Sequence, residues 1–112
     1  VDIQIIQPGD GFTFPVAGDV ITTNYVGTLK DGRMFDSTKE RGASFIVQIG
    51  VGKVIRGWDE AIIKLSLGTK ALLTIPAELA YGARGFPPLI PPNADLLFEL
   101  ILVKIDRAVS IV

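Results

Sequence analysis

The chain has no histidine and no cysteine in its 112 residues, and only one tryptophan and one methionine. The first two absences remove most neutral-pH side-chain chemistry. Without them there is no Ser–His or Cys–His nucleophile, no zinc-type ligand set and no disulfide. Catalysis must then use carboxylates, aromatic hydroxyls, backbone amides or the shape of a pocket, and no metal or cofactor is expected. Charge of one sign is also lacking: 11 Lys and Arg stand against 12 Asp and Glu, for a net charge of −1. With no basic run, neither nucleic acid nor an anionic membrane is an expected partner. No apolar run approaches the roughly 20 residues of a membrane-spanning helix, and the first residues lack the pattern of a secretory signal. A fold independent of disulfides is expected in the cytoplasm. What remains is globular: 48% hydrophobic, 21% charged, and long enough to bury one core. A single domain over residues 1–112 is expected.

Glycine and proline are plentiful, at 12 and 7 residues, and they cut the chain into short strands. Residues 3–6 read as a strand closed by Pro8-Gly9-Asp10-Gly11, and residues 20–29 as a long one with Ile21, Thr23 and Tyr25 on one face. The turn Lys30-Asp31-Gly32-Arg33 leads into Met34-Phe35-Asp36-Ser37 as a hairpin. Residues 45–49, 69–75 and 95–106 complete the sheet. Residues 57–65 carry Trp58, Ala61, Ile62 and Leu65 at helical spacing, bracketed by Gly57 and Gly68. The expected class is α+β: an antiparallel half-barrel of about five strands wrapped around one short helix. The stretch from Pro76 to Asn93 holds five of the seven prolines together with Tyr81, Phe86, Leu89 and Ile90. Proline bars it from a central strand, and its apolar side chains distinguish it from a solvated linker. It reads as a stiff flap covering something.

Two constellations could carry chemistry. Tyr25, Phe35, Phe45, Trp58, Tyr81, Phe86 and Phe98 are most of the aromatics. In an arbitrary protein such rings are core. Here Trp58 opens the only predicted helix and several others lie at strand ends or on the proline flap, which suits the lining of a concavity. The second group is Tyr25, Asp36 and Arg41, with Arg41 five residues beyond Asp36 across the turn Ser37-Thr38-Lys39-Glu40. It is either an exposed turn ion pair of little consequence or a pocket carboxylate held ionised by Arg41 and the Tyr25 hydroxyl. Asp59 and Glu60 are adjacent on the helix, so they cannot flank one substrate bond and read as surface charge favoured by the helix dipole. Gly50-Val51-Gly52-Lys53 lacks a nucleotide-binding pattern and reads as a turn. Val54-Ile55-Arg56-Gly57-Trp58 places the Ile55 amide just ahead of the helix, where it is free to donate to a ligand carbonyl.

At these residues the chain resembles the FKBP-type peptidyl-prolyl isomerases, the immunophilins that bind tacrolimus and rapamycin. The likeness runs from Pro8-Gly9-Asp10-Gly11 to Val103-Lys104 through Tyr25-Val26-Gly27, Gly32-Arg33-Met34-Phe35-Asp36-Ser37, Val54-Ile55-Arg56-Gly57-Trp58, Ala80-Tyr81-Gly82 and Ile90-Pro91-Pro92-Asn93-Ala94. The resemblance implies that Trp58 forms a pocket floor, that Tyr25, Phe35, Phe45, Val54, Ile55 and Phe98 form its walls, and that Tyr81, Phe86 and Ile90 reach it from the flap. It implies that the Ile55 amide and the Tyr81 hydroxyl hold ligand carbonyls, with Asp36 set by Arg41 and Tyr25. Tyr25, Asp36, Trp58, Tyr81 and Phe98 are then the catalytic candidates; Phe35, Arg41, Phe45, Val54, Ile55, Phe86 and Ile90 bind substrate or drug. The implied partners are proline-containing peptides, the two macrolides and, through a drug complex, calcineurin or the rapamycin-target kinase.

The chain departs from the family pattern at Asn24, often His, and at Val47, often aromatic, while Phe86-Pro87-Pro88 resembles fungal members. Leu72, Leu97, Ile101, Val103 and Ile105 are expected to face outward, where small members usually carry charge at Leu72 and Ile101. A divergent or redesigned monomer with a weak tendency to self-associate is the expectation. Two functions stand open: an isomerase that accelerates X–Pro rotation in protein folding, or a catalytically weak module that binds proline-like ligands or a partner through the same pocket.

Overall fold

The computed structural model describes residues 1–107. Its elements, in chain order, are β1 (Asp2–Gln7), β2 (Val20–Leu29), β3 (Met34–Ser37), α1 (Thr38–Arg41), β4 (Phe45–Gln48), α2 (Arg56–Ala61), β5 (Lys70–Ile75) and β6 (Leu96–Asp106). All strand pairs are antiparallel, in the order β1-β5-β6-β2-β3, with β4 also on β2. The α+β class and the antiparallel sheet are as expected, and the six strand segments read from the sequence form one sheet. The length of β2 lets two of them share one of its edges. One edge pairs with β6 along its whole span, and the other takes β4 at residues 20–23 and β3 at residues 26–28.

Alternation decides what the sheet buries. Ile21, Thr23 and Tyr25 of β2, Ala71, Leu73 and Ile75 of β5, and Leu96, Phe98, Leu100 and Leu102 of β6 all turn inward and are buried. They meet Trp58, Ala61, Ile62 and Leu65 in one core. The helix predicted over 57–65 is shorter. It is α-helical to Ala61 and tightens into a 3-10 turn over Ile62–Lys64, closed by Leu65 N–H donating to the Ile62 carbonyl at 3.0 Å. The i,i+3 spacing of that turn keeps both Ile62 and Leu65 on the core side. Gly57 lets α2 lie close to β5: a Cβ there would stand 2.4 Å from Ile75 Cγ2.

Two features were not foreseen. The segment after β3, read as a turn, is the one-turn helix α1, ended by Gly42 at φ 74°. Asp59, read as dipole-compensating surface charge, instead accepts the Gly50 amide at 2.7 Å and the Gly52 amide at 3.0 Å. It therefore tethers the 50–52 loop to α2. The proline flap is held at its base by Asp95, which accepts the Ala77 amide at 2.9 Å and pairs with Lys30 at 2.9 Å. At its tip, Phe86 and Ile90 exchange both backbone hydrogen bonds, at 2.8 and 2.9 Å.

Most outward residues lie where alternation puts them: Leu72, Leu97 and Ile101 are half-buried on the outer face and Val103 is exposed. Polar neighbours interrupt them: Leu72 stands between Gln4 and Glu99, and Ile101 between Lys70 and Asn24. Ile105, expected to face outward, does not: the register shifts between Lys104 and Leu102, and the bulge at Val103 turns Ile105 inward opposite Ile21, against the core.

Candidate active site

Over the N-terminus of α2 the sheet leaves a hollow of about 220 Å³, open on one side. Its walls are Tyr25 from β2, Phe35 and Asp36 from β3, Arg41 from α1, Phe45 from β4, Lys53, Val54 and Ile55 from the segment entering α2, Phe98 from β6 and Tyr81 from the flap, with Trp58 also lining it. Larger hollows, of about 310 and 360 Å³, have no such ring set; Lys30, Asp31, Arg33 and Asp95 line one, and Asn24, Lys39 and Ser44 another.

The rings form a nest. Tyr25, Phe35, Phe45, Trp58 and Phe98 make six edge-to-face contacts with centroids 5.0–5.9 Å apart. In this geometry each positive ring edge meets a negative ring face, which fixes the rings and leaves an apolar surface toward the hollow. Trp58 is only 3% exposed and yet lines the hollow, as a floor does. Its indole N–H is the one buried side-chain polar atom without a hydrogen-bond partner among the described residues. An unmet donor of this kind costs about 1–3 kcal/mol, and such costs concentrate at functional sites. Gly27 makes room for the nest: a Cβ there would lie 2.6 Å from the Phe35 ring and 3.0 Å from the Phe98 ring.

Asp36, Arg41 and Tyr25 interlock. The Tyr25 hydroxyl donates to Asp36 Oδ2 at 2.5 Å, Arg41 Nε donates to Oδ1 at 3.0 Å, and the Ser37 amide donates to Oδ1 at 2.9 Å. Arg41 Nη2 also donates to Asp36 Oδ2, and to the Tyr25 hydroxyl at 2.9 Å. The turn of α1 returns the guanidinium onto the carboxylate, and its carbon sits 5.9 Å from the Phe45 ring centroid. Partial burial opposes ionisation of Asp36, but the hydrogen bonds from Arg41 and Tyr25, the Arg41 charge and the Ser37 amide hold its pKa below the usual 3.8. The resulting stabilisation is complete above about pH 4 and disappears as pH falls through the depressed value. Burial and then the neighbouring Asp36 carboxylate raise the Tyr25 hydroxyl, and the same two causes raise Tyr81. With every acceptor site of Asp36 engaged, that carboxylate is a fixed negative dipole end in the wall, not a free base.

Beside the Trp58 indole N–H, two further donors remain unused. No acceptor among the described residues meets the Ile55 amide or the Tyr81 hydroxyl. Ile55 is extended at φ −58°, ψ 147° and its carbonyl caps α2 by accepting from Trp58 and Asp59. Its own N–H is left over at the cavity wall.

Ten of the twelve residues expected at the site therefore line one cavity. Phe86 and Ile90 do not. Phe86 is 54% exposed and stacks on Tyr81 at 5.4 Å, outside the cavity wall, whereas Ile90 is 3% exposed and packed into the core. Lys53 is also in the wall, although no motif or spacing marks it beforehand.

The model of the FKBP-type peptidyl-prolyl cis-trans isomerase family matches residues 11–103, and these hold every residue of the cavity. The chain belongs to this family. Relatives cover nearly the whole of it. It is 56% identical to FK506-binding protein 1A of Emericella nidulans, across 95% of this chain and 98% of the relative. It is 57% identical to FK506-binding protein 1 of Saccharomyces cerevisiae and 58% identical to that of Eremothecium gossypii, in each case across 95% of this chain and 93% of the relative. The activity of this FKBP-type chain is peptidyl-prolyl cis–trans isomerisation. No described helix is long and apolar enough to cross a membrane.

Proposed function

We propose that the aromatic cavity over Trp58 is where this isomerase takes a prolyl ring, and that the same cavity binds tacrolimus and rapamycin. The observation that carries the reading is the pairing of a ring-lined, apolar hollow with two unused donors, the Ile55 amide and the Tyr81 hydroxyl. The chain acts as a single domain in the cytoplasm on proline-containing segments of folding proteins. It does so as a monomer, because polar neighbours break up the outer apolar residues and support only weak self-association. The surface round the cavity, with Tyr81 stacked on Phe86, is where a drug complex would meet calcineurin or a rapamycin-target kinase.

The mechanism needs no covalent step. Rotation about X–Pro must break amide resonance against a barrier of about 18–20 kcal/mol, and uncatalysed exchange takes tens to hundreds of seconds. The planar amide is dipolar and well hydrated; the twisted one is less dipolar. An apolar cavity that excludes water therefore favours the transition state over the ground state. Trp58, Phe35, Phe45 and Phe98 supply that environment. Ile55 N–H and Tyr81 O–H hold the flanking carbonyls so that only the X–Pro bond turns. Val54 completes the wall, and Asp36, fixed by Arg41 and Tyr25, presents a set negative charge to the twisting amide.

This mechanism has a pH signature. None of the cavity groups with a displaced pKa titrates near neutrality: Asp36 lies below 3.8, and Tyr25, Tyr81 and Arg41 are all raised. In a prolyl-peptide exchange assay, kcat/KM stays flat from about pH 5 to pH 9, and tacrolimus abolishes it at each pH. A limb near pH 6–7, or turnover indifferent to the drug, would contradict the reading.

A further inference from the structure

Lys53 is an unneutralised cation at the mouth of an otherwise charge-balanced cavity. The other charged wall residues, Asp36 and Arg41, are bonded to each other. Among the described residues no carboxylate lies within ion-pair distance of Lys53; Lys39, Arg56, Lys64 and Arg84 share this, but of these five only Lys53 lines the cavity. The one acid attached to its loop, Asp59, gives both oxygens to the Gly50 and Gly52 amides. That tether also fixes where the Lys53 stem begins. Two residues further on, past a bend at Lys53 and Val54, lies the unused Ile55 amide. A peptide whose carbonyl rests on Ile55 therefore runs past the Lys53 ammonium, which is a compact charge on a flexible stem with no carbonyl or carboxylate of its own to hold.

We propose that Lys53 is a specificity-determining residue, selecting proline segments that carry a carboxylate on a residue adjacent to the proline. The proposal rests on the cavity being the substrate site, as argued above, and names the substrate class it prefers. At about 4 Å in a solvated mouth, one opposite charge favours an acidic peptide over its neutral isostere by up to about five-fold. The contact persists from ground state to transition state, so it acts on KM and leaves kcat alone. It weakens with salt, because the screening length falls from about 10 Å at 0.1 M to about 3 Å at 1 M.

The test compares four peptides, Glu-Pro against Gln-Pro and Pro-Glu against Pro-Gln, with the wild-type chain, Lys53→Gln, Lys53→Glu and Lys64→Gln. Lys64 is exposed at the far end of the helical segment and makes the same charge change away from the cavity. The expected result is a three- to five-fold lower KM for the acidic member of at least one pair. That preference persists in K64Q, is lost in K53Q and in 1 M salt, and reverses in K53E, with kcat unchanged throughout. Turnover of all four peptides with no acidic preference, or a preference that survives K53Q, overturns this inference and leaves the cavity assignment standing. Turnover that saturating tacrolimus fails to inhibit overturns the cavity assignment, and this inference with it.

Discussion

Phe98→Ala lowers kcat/KM for X–Pro exchange by about a hundred-fold, whereas Asp36→Ala lowers it by about ten-fold. Phe98 is 4% exposed and shares edge-to-face contacts with Tyr25, Phe35 and Trp58. Truncating it removes a wall, releases three neighbouring rings and lets water reach the twisting amide. The apolar surface lost corresponds to about 2–3 kcal/mol of transition-state stabilisation, which is roughly two decades in rate. Removing Asp36 acts differently. It leaves the ring nest in place but strands the Tyr25 hydroxyl and the Arg41 guanidinium, whose partner it was. Lost positioning and a changed local field cost about one decade. A buried Phe→Ala change also costs about 3–5 kcal/mol of stability, so Phe98→Leu, which keeps the core filled, provides a second reading with the same ranking. Equal losses for the Phe98 and Asp36 variants in a proline-limited refolding assay would show that charge, not apolar enclosure, drives rotation.

Gly57→Ala destabilises the chain by about 2–3 kcal/mol, a fall in Tm of roughly 10 °C. The sign is the informative part. In an exposed helix the same change stabilises by about 0.5–1 kcal/mol, because alanine loses less backbone freedom on folding. At Gly57 the new methyl would stand 2.4 Å from Ile75 Cγ2 and 2.9 Å from Ile75 Cδ1, and Ile75 is fully buried in β5. Relief requires α2 to lift off the sheet, carrying Trp58 and the Ile55 amide with it, so activity falls along with stability. Ile75→Ala in the same chain restores the space. The double variant should therefore lose less than the sum of the single losses in denaturant unfolding. Additive losses would mean that the helix and β5 are not in contact as described.

The strand pattern was legible because alternation in β2, β5 and β6 is nearly unbroken, and one residue of slip would have buried Glu99 and exposed Phe98. The Tyr25, Asp36 and Arg41 group was legible as an alternative only. Spacing alone favoured an idle turn pair over a pocket carboxylate, and what decides between them is the one-turn helix α1, a feature too short for periodicity to reveal. Lys53 was passed over and Asp59 misjudged for a related reason. Their roles come from the course of the 50–52 loop, whose glycines take φ near 80°, and not from the character of either residue. Phe86 and Ile90 were expected to share a pocket because the family resemblance implied it. The backbone bridge between them instead coincides with opposite fates, Ile90 in the core and Phe86 against Tyr81 in solvent. The packing roles of Gly27 and Gly57 could not be read from the sequence, because a missing side chain acquires meaning only from what occupies its place.

Because the chain has a single tryptophan, its emission reports on the cavity floor alone. Titrating tacrolimus while following that emission should give a saturable change at one equivalent of drug, with the same midpoint as loss of isomerase activity. Emission that stays constant while the drug abolishes turnover would place the prolyl ring somewhere other than over Trp58.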